Sequence, residues 1–327
     1  MLRLFLLLLV LAGGSPTLAR PLVAILAEPR GTETTDLIAP YAVLAESGAI
    51  DVRIVAAGMT PIRLMPGQAF VRPQATYADL RPDVIVVPFM MPAADPAREA
   101  WLKAQAARGA RIVSICAGAE TLAHAGLLDG RDATTHWFEL GRLAKAYPQV
   151  RWRRDRRWIV DGNVTTTAGV TASIPASLAL LRDLAGEDTM RATAARLGVP
   201  PPVQAHDGAA FRVNGDAVMA GLSGWANAWR SQTVAVKIAD GFDDLAFATT
   251  LDAWSRTNRS EAFASASAVS RHGLAVIAPE KLPRAGRMVK ALTGDPALVL
   301  EDIASAYGKP TARYVALTLE HPYWLTK

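Results

Sequence analysis

The feature that most constrains the fold is a single cysteine between an apolar β-type run and a small-residue turn. Cys116 follows the run at residues 110–115, and Ala117-Gly118-Ala119 leads into a helix-like run. A nucleophile on a sharp strand-to-helix turn is the geometry of a nucleophile elbow at the carboxyl edge of a sheet. The first helical N–H groups can stabilise a thiolate there, so we expect Cys116 to have a lowered pKa. Free cysteine is also a common core residue, and spacing alone leaves that alternative open.

The chain around this cysteine alternates between strand and helix patterns. The clearest segments are strands at 22–27, 51–57 and 83–88, and helices at 36–46 and 96–107. Asp95 supplies an N-cap for the second helix and Pro96 its first position. Such alternation predicts an α/β fold: a flavodoxin-like open parallel sheet with helices on both faces and a nucleophile elbow, plus a smaller C-terminal α/β region.

The N-terminus has the pattern of a secretory signal. Met1-Leu2-Arg3 is positively charged, residues 4–11 are apolar, and small residues lead to a cleavage site between Ala19 and Arg20. The apolar run is shorter than the roughly 20 residues that a membrane span needs, although a retained anchor is the alternative. We therefore predict a signal peptide at 1–19 and a periplasmic or secreted protein, with no stable membrane insertion after cleavage.

Charge and residue spacing exclude several partners. The net charge of +5 is modest, and the one dense basic cluster, at residues 151–158, is typical of a solvent-facing hairpin edge. We therefore expect no nucleic-acid partner. The five histidines lack the Cys/His spacings of a metal site, and no glycine-rich phosphate loop or dinucleotide fingerprint is present. The sequence thus predicts neither a metal nor a cofactor.

Three motifs resemble those of a known family. They are Ser-Ile-Cys-Ala-Gly-Ala at 114–119, Ala-Gly-Leu-Leu-Asp-Gly-Arg at 125–131 and Ala-Thr-Thr-His-Trp at 133–137. Together they resemble the ThiJ/PfpI family of the class I glutamine amidotransferase-like superfamily. The likeness is strongest to the amidotransferase-like sensor domain at the front of some AraC-type transcription regulators. Asp-Gly-Asn-Val at 161–164 fits the same subgroup.

The resemblance suggests a division of the chain. Residues 20–197 correspond to the ThiJ/PfpI-like domain, 198–230 form a linker, and 231–327 form a C-terminal α/β region. Most AraC-type relatives carry a DNA-binding helix-turn-helix pair in the last part, and we find no such pattern here. Its absence and the predicted export both argue against transcription control. We interpret 231–327 as a degenerate second copy without a cysteine, with a helix over 284–292 and a last strand over 314–319.

The family's reactive residues can be placed on this sequence. Cys116 takes the nucleophile position, His136 the place of the histidine near the thiol, and Asp36 that of an acid that approaches the cysteine. Such an acid can share a proton with the thiol, and an imidazole can move one. The alternatives are that Asp36 only favours a helix N-terminus and that His136 is a hydrogen-bonded core residue.

Two positions depart from the family pattern. Many relatives have Pro-Gly-Gly where this chain has Pro88-Phe89-Met90, and relatives resembling isonitrile hydratases carry threonine where this chain has Ala117. Glycine lets the backbone present an oxyanion donor, and threonine could orient a substrate or water. We expect Ala117, Phe89 and Met90 to form an oxyanion site or a pocket wall.

Two function classes follow. The first is a cysteine-dependent hydrolase or hydro-lyase of a small molecule, in which Cys116 attacks carbon, His136 moves a proton and Asp36 sets thiol ionisation. The second is a non-catalytic module that binds a small ligand or senses oxidation of the thiol. The resemblance also leads us to expect a homodimer.

Overall fold

The structure is a computed structural model that describes residues 19–213 and 231–325, with Gly215, Val218 and Leu222 between them. The predicted signal peptide therefore lies outside the described residues except for Ala19. Most of the predicted linker after Val213 lies outside them as well.

A first unit contains the predicted sheet. Its strands are β1 (Leu22–Leu26), β2 (Thr32–Glu33), β3 (Asp51–Ala56), β4 (Ile62–Met65), β5 (Phe70–Val71), β6 (Ala75–Thr76), β7 (Val84–Val87), β8 (Arg111–Ser114), β9 (Asp132–Ala133), β10 (Arg151–Trp152), β11 (Trp158–Asp161) and β12 (Val164–Thr167). Its helices are α1 (Thr34–Glu46), α2 (Pro96–Ala107), α3 (Ala119–His124), α4 (Trp137–Ala146), α5 (Ser173–Ala185) and α6 (Glu187–Leu197).

Seven of these strands form one sheet in the order β11-β12-β8-β7-β1-β3-β6. Every neighbouring pair is parallel except β11 and β12, which form an antiparallel hairpin. Alternate residues of a strand face opposite sides of the sheet. Val23 and Ile25 accordingly join the apolar cluster under α1 and α5, while Ala24 and Leu26 join the cluster under α2 and α3. The predicted α/β fold with helices on both faces is confirmed.

Local chemistry explains where the second helix begins. Asp95 caps α2 by accepting a hydrogen bond from the Arg98 N–H at 2.8 Å, and Pro96 follows as the first helical residue. Proline is tolerated there because the first N–H groups of a helix have no intrahelical partner. The predicted bounds of this helix, 96–107, are those observed.

A second, smaller unit follows. It consists of β13 (Gln232–Lys237), α7 (Asp244–Ser255), β14 (Ser260–Ala264), β15 (Ala268–Val269), β16 (Ala275–Ile277), β17 (Arg287–Lys290), α8 (Pro296–Tyr307) and α9 (Lys309–Leu319). The parallel sheet has the order β14-β13-β17. Helix α7 packs against α1, and β16 pairs with β5. The two units therefore share an interface.

Two predictions for the second unit are wrong. The segment predicted as a helix over 284–292 contains β17, because pairing with β13 overrides a weak local preference. The segment predicted as a strand over 314–319 lies in α9. There Ala312, Val315, Ala316 and Leu319 are buried at the spacing of a helix face.

Candidate functional site

The predicted nucleophile elbow is present at the carboxyl end of β8. Cys116 opens a single 3-10 turn that leads directly into α3, and its φ of 55° lies in the left-handed region. Non-glycine residues rarely adopt this conformation, and when they do it is often at a functional site. A Cβ atom on Gly118 would lie 2.1 Å from the carbonyl oxygen of Val87. Only glycine therefore lets the turn pass so close to the end of β7.

Two threonines hold the backbone of the cysteine. The Cys116 N–H donates to Thr167 Oγ1 at 3.1 Å, and Thr135 Oγ1 donates to the Cys116 carbonyl oxygen at 3.1 Å. Thr167 ends β12, and Thr135 precedes α4. The sequence did not single out either residue as part of the site. Together they connect the strained elbow to the elements on both sides of it.

Asp36 is buried completely near the start of α1. Its Oδ2 accepts a hydrogen bond from the Phe89 N–H at 3.2 Å, and its Oδ1 has no hydrogen-bond partner among the described residues. Burial raises the pKa of Asp36 from 3.8 to about 7, although the Phe89 N–H acts in the opposite direction. Asp36 can therefore hold or release a proton near neutral pH.

The thiol itself has an environment opposite to the predicted one. Cys116 is 5% exposed, and burial raises its pKa well above the usual value. The carboxylates of Asp36 and Glu33 raise the pKa further, while the Ala117 N–H and the Arg256 guanidinium lower it. The predicted lowering of the thiol pKa is wrong, because desolvation and two nearby acids outweigh the N–H groups of the elbow.

A cluster of charged side chains that the sequence did not reveal lies beside the thiol. Glu33 caps α1 by accepting the Asp36 N–H, and its Oε1 accepts from Arg256 Nη2 at 2.6 Å. Arg256 Nε also donates to the buried Asp252, whose Oδ2 accepts from Thr35 Oγ1 at 2.7 Å. We call Glu33, Asp36, Asp252 and Arg256 the charged cluster.

Half of the charged cluster comes from the second unit. Asp252 lies at the end of α7 and Arg256 directly after it, whereas Glu33 and Asp36 belong to the first unit. Glu33 and Arg256 are 223 positions apart in the sequence. No motif spacing could have related them. Glu33 itself could have been recognised, because it precedes the first helix at the N-cap position.

His136 does not hydrogen-bond the thiol. As the N-cap of α4 its Nδ1 accepts from the Phe138 N–H at 3.3 Å, and its Nε2 donates to the Thr318 carbonyl oxygen at 3.1 Å. Desolvation lowers the pKa of His136. Because both ring nitrogens have other partners, these contacts do not support the predicted proton transfer by His136.

The three predicted pocket residues have different surroundings. Ala117 is buried, and its N–H hydrogen-bonds the cysteine sulfur. Phe89 is half-buried against the apolar cluster that includes Cys116, but its N–H is already bonded to Asp36. Met90 packs in the cluster under α2 and α3, on the other face of the sheet. Of the three, only Ala117 and Phe89 therefore lie on the face that holds the thiol.

Within the described ranges, His, Cys, Asp and Glu side chains form no group of three or more that could hold a metal ion. In the same part of the chain, every helix is too short or too polar to cross a membrane.

The fold and site together define a class of protein. A cysteine sits on an elbow at the carboxyl edge of a parallel sheet, with a proton-holding carboxyl beside it. These are the features of an α/β protein with a cysteine at a nucleophile elbow.

Comparison with known proteins identifies the family. The model of the DJ-1/PfpI family matches residues 22–183. Isonitrile hydratase from Pseudomonas putida is 34% identical over 173 residues, which cover 51% of this chain and 73% of that protein. The HTH-type transcriptional regulator GlxA from Rhizobium meliloti is 39% identical over 83 residues, which cover 25% of each chain. A crystal structure of a ThiJ/PfpI family protein from Pseudomonas syringae superimposes with a TM-score of 0.50 and 26% identity, covering 57% of this chain and 78% of that one.

The chain therefore belongs to the DJ-1/PfpI family, as its motifs suggested. The family match ends at residue 183, within α5, so it does not include the second unit.

Proposed function

We propose that this protein is a cysteine-dependent hydro-lyase that adds water to a small uncharged electrophile. The observation that carries the proposal is the buried carboxyl of Asp36 near the elbow thiol of Cys116, close enough for its charge to raise the thiol pKa. Asp36 has a pKa of about 7, and its Oδ1 has no hydrogen-bond partner within the part of the chain that the structure describes. A carboxyl that exchanges its proton near neutral pH is suited to general acid–base catalysis. The 34% identity to an isonitrile hydratase suggests isonitriles as the first substrate class to examine.

The steps on an isonitrile balance as follows. Asp36 takes the thiol proton while the sulfur of Cys116 bonds to the terminal carbon, and Asp36 then delivers that proton to the same carbon, giving a thioimidate. Water adds across the carbon–nitrogen double bond, with oxygen on carbon and a proton on nitrogen. The hydroxyl group then loses its proton as the carbon–sulfur bond breaks, and that proton passes to sulfur, which regenerates the thiol and releases an N-substituted formamide. Splitting the hydration in this way replaces one difficult step by easier ones.

The charge of the site supports an uncharged substrate. Two carboxyl groups and one guanidinium act on the thiol, and burying a further unpaired charge there would be costly. The side chain of Arg256 is 18% exposed, whereas those of Glu33 and Asp252 are 5% and 0% exposed. We infer that a substrate approaches the cluster from the side of Arg256.

The second candidate is a module that binds a small ligand or senses oxidation of Cys116. It is favoured by the Phe89 N–H, which is bonded to Asp36 and so is not free to bind an oxyanion. The raised pKa of the thiol also keeps most of it protonated at neutral pH. The likeness to an HTH-type regulator over a quarter of each chain is consistent with such a role.

Incubation with a panel of small isonitriles and nitriles distinguishes the two candidates. The hydro-lyase predicts steady formation of amide product by the wild-type protein and none by Cys116→Ser. Thermal stabilisation by the same compounds without any product would support the binding module instead. Asp183→Asn, which changes an exposed carboxylate outside the charged cluster, is a matched control that should leave turnover unchanged.

We also propose that the protein is exported, on the basis of the charged and apolar pattern at its N-terminus. Expression of the full chain in a Gram-negative host followed by intact-mass measurement tests this. A periplasmic protein that begins at Arg20 supports export. A full-length chain in the cytosolic fraction contradicts it.

A further inference from the structure

The second unit repeats the topology of the first. In both units a central strand is followed by a long helix and then by a second strand, which pairs in parallel with the central strand. The order β3-β1-β7 of the first unit corresponds to β14-β13-β17 of the second, with parallel pairing throughout. In both units the helix after the central strand begins with an acidic N-cap, Glu33 for α1 and Asp243 for α7. The β-arms that follow, β4–β5 and β15–β16, pair with each other across the interface.

A pair of helices repeats as well. Helices α5 and α6 are joined by Gly186, with φ 87° and ψ 164°, and α8 and α9 are joined by Gly308, with φ 89° and ψ 155°. This region of backbone conformation is essentially restricted to glycine, so the same unusual joint occurs twice. Helices α6 and α9 have the same length and both end in a left-handed residue, Gly198 and Glu320 respectively. In each unit the first helix of the pair packs against the long helix, α5 on α1 and α8 on α7.

The two units differ by one internal segment. In the first unit, residues 88–172 connect β7 to α5 and carry α2, the elbow, α3, α4 and the hairpin of β11 and β12. In the second unit, only residues 291–295 connect β17 to α8. The part that is missing is therefore the part that holds the nucleophile, and the remaining elements keep their order.

We infer that the second unit is a copy of the first that lacks the nucleophile segment and acts as its partner within the chain, with Arg256 as the residue that positions the charged cluster around Cys116. One contact between the units is the packing of α7 on α1, the equivalent helices of the two copies. This packing brings the residues at the end of α7 beside Glu33 at the start of α1. The cysteine site is incomplete without the second unit.

Arg256 is a positioning residue because it holds the neighbouring acids by hydrogen bonds, and its charge also lowers the thiol pKa. It bonds Glu33 and Asp252 at the same time, and both acids are buried. The ionisable groups that face the thiol are Glu33 and Asp36 from the first unit and Arg256 from the second. Asp252 acts on both Glu33 and Asp36 and raises the pKa of each. Asp252, which lies on α7, and Arg256, which directly follows it, therefore shift the pKa values of Glu33 and Asp36 in opposite directions.

The test is the pH dependence of iodoacetamide alkylation, which reports on one thiol because Cys116 is the only cysteine in the chain. Arg256→Met should raise the midpoint of the pH–rate profile by at least about one pH unit, since a buried cation is lost. Asp252→Asn should lower the midpoint. Arg256→Lys, which keeps the positive charge, should have a midpoint within about half a pH unit of the wild-type value. Arg196→Met is the matched control, because it removes an equally close arginine–glutamate pair at the other end of α1 and should leave the profile unchanged.

Opposite shifts in Arg256→Met and Asp252→Asn support the inference, because loss of packing alone would move both variants in the same direction. Shifts in one direction, or no shift in either, would overturn it. Far-UV circular dichroism establishes that each variant is folded. If Arg256→Met does not fold, Asp252→Asn decides the outcome, with Arg256→Lys measured beside it. Alkylation reports on the cluster whether or not the site turns over a substrate, so this test is independent of the proposed hydration.

Discussion

Replacing Asp36 by asparagine should make the protein less sensitive to pH in the neutral range. The folded carboxyl has a pKa of about 7 and its ordinary value is 3.8, so the folded protein binds its proton more tightly than the unfolded chain does. The contribution of this group to stability is therefore full below pH 3.8, falls as the pH rises through the window, and levels off above about pH 7. Asparagine keeps a hydrogen-bond acceptor for the Phe89 N–H but carries no charge at any pH.

The size of the effect follows from the shift. A displacement of about three pKa units corresponds to a penalty of about 4 kcal/mol once the carboxyl is ionised in both states. Between pH 5 and pH 8, linkage gives a loss of about 2 to 3 kcal/mol from this one group. The free energy of unfolding of Asp36→Asn minus that of the wild type should therefore increase by about that amount from pH 5 to pH 8, because only the wild type loses stability.

Urea unfolding followed by tryptophan fluorescence at pH 5 and pH 8 measures this difference, because titrations of groups that do not interact with Asp36 cancel between variant and wild type. Asp183→Asn is the control, since that carboxylate is 44% exposed in its pair with Arg111. Its relative stability should change by less than about 0.5 kcal/mol between the two pH values. If Asp36→Asn and wild type differ by the same free energy at both pH values, Asp36 is not a proton-holding group and the proposed acid–base role is refuted.

Three other outcomes are expected. The kcat/KM for hydration should rise through about pH 7 as Asp36 becomes able to accept the thiol proton, and Asp36→Asn should lose this rise; an unchanged profile in the variant would contradict the assignment. Gly118→Ala should destabilise the protein by about 2 kcal/mol or more in urea unfolding, because the new Cβ would meet the Val87 carbonyl oxygen; a neutral effect would show that the elbow can shift. His136→Gln should change the alkylation rate of Cys116 by less than about twofold, and a tenfold loss would restore His136 to a role at the thiol.

Local patterns carried the prediction of the first unit. Apolar runs that alternate with helix patterns predicted the strands, and the Asp95-Pro96 pair correctly predicted the first residue of α2. The elbow could be recognised because a strand, a cysteine and small residues follow each other directly in the chain. Each of these features is determined by residues that lie within a few positions of one another, so the sequence alone is enough to recognise it.

The charge environment of the cysteine could not be predicted in the same way. Arg256 and Asp252 reach the site only through the packing of α7 on α1, and this contact joins distant parts of the chain. Without them the sequence suggested an activated thiol, whereas burial and the acids raise its pKa. The role expected for His136 rested on its position in a motif. Hydrogen bonds to Thr318 and Phe138 determine where its ring nitrogens point.

The central claim is that Cys116 forms a bond to the substrate while Asp36 holds the proton. Acid-quenched reactions with a small isonitrile, analysed by peptide mass spectrometry, test it most directly. The account predicts product formation by the wild-type protein and a transient adduct on the Cys116 peptide with the mass of one whole isonitrile, and neither in Cys116→Ser. Product formation by Cys116→Ser at the wild-type rate would contradict the claim.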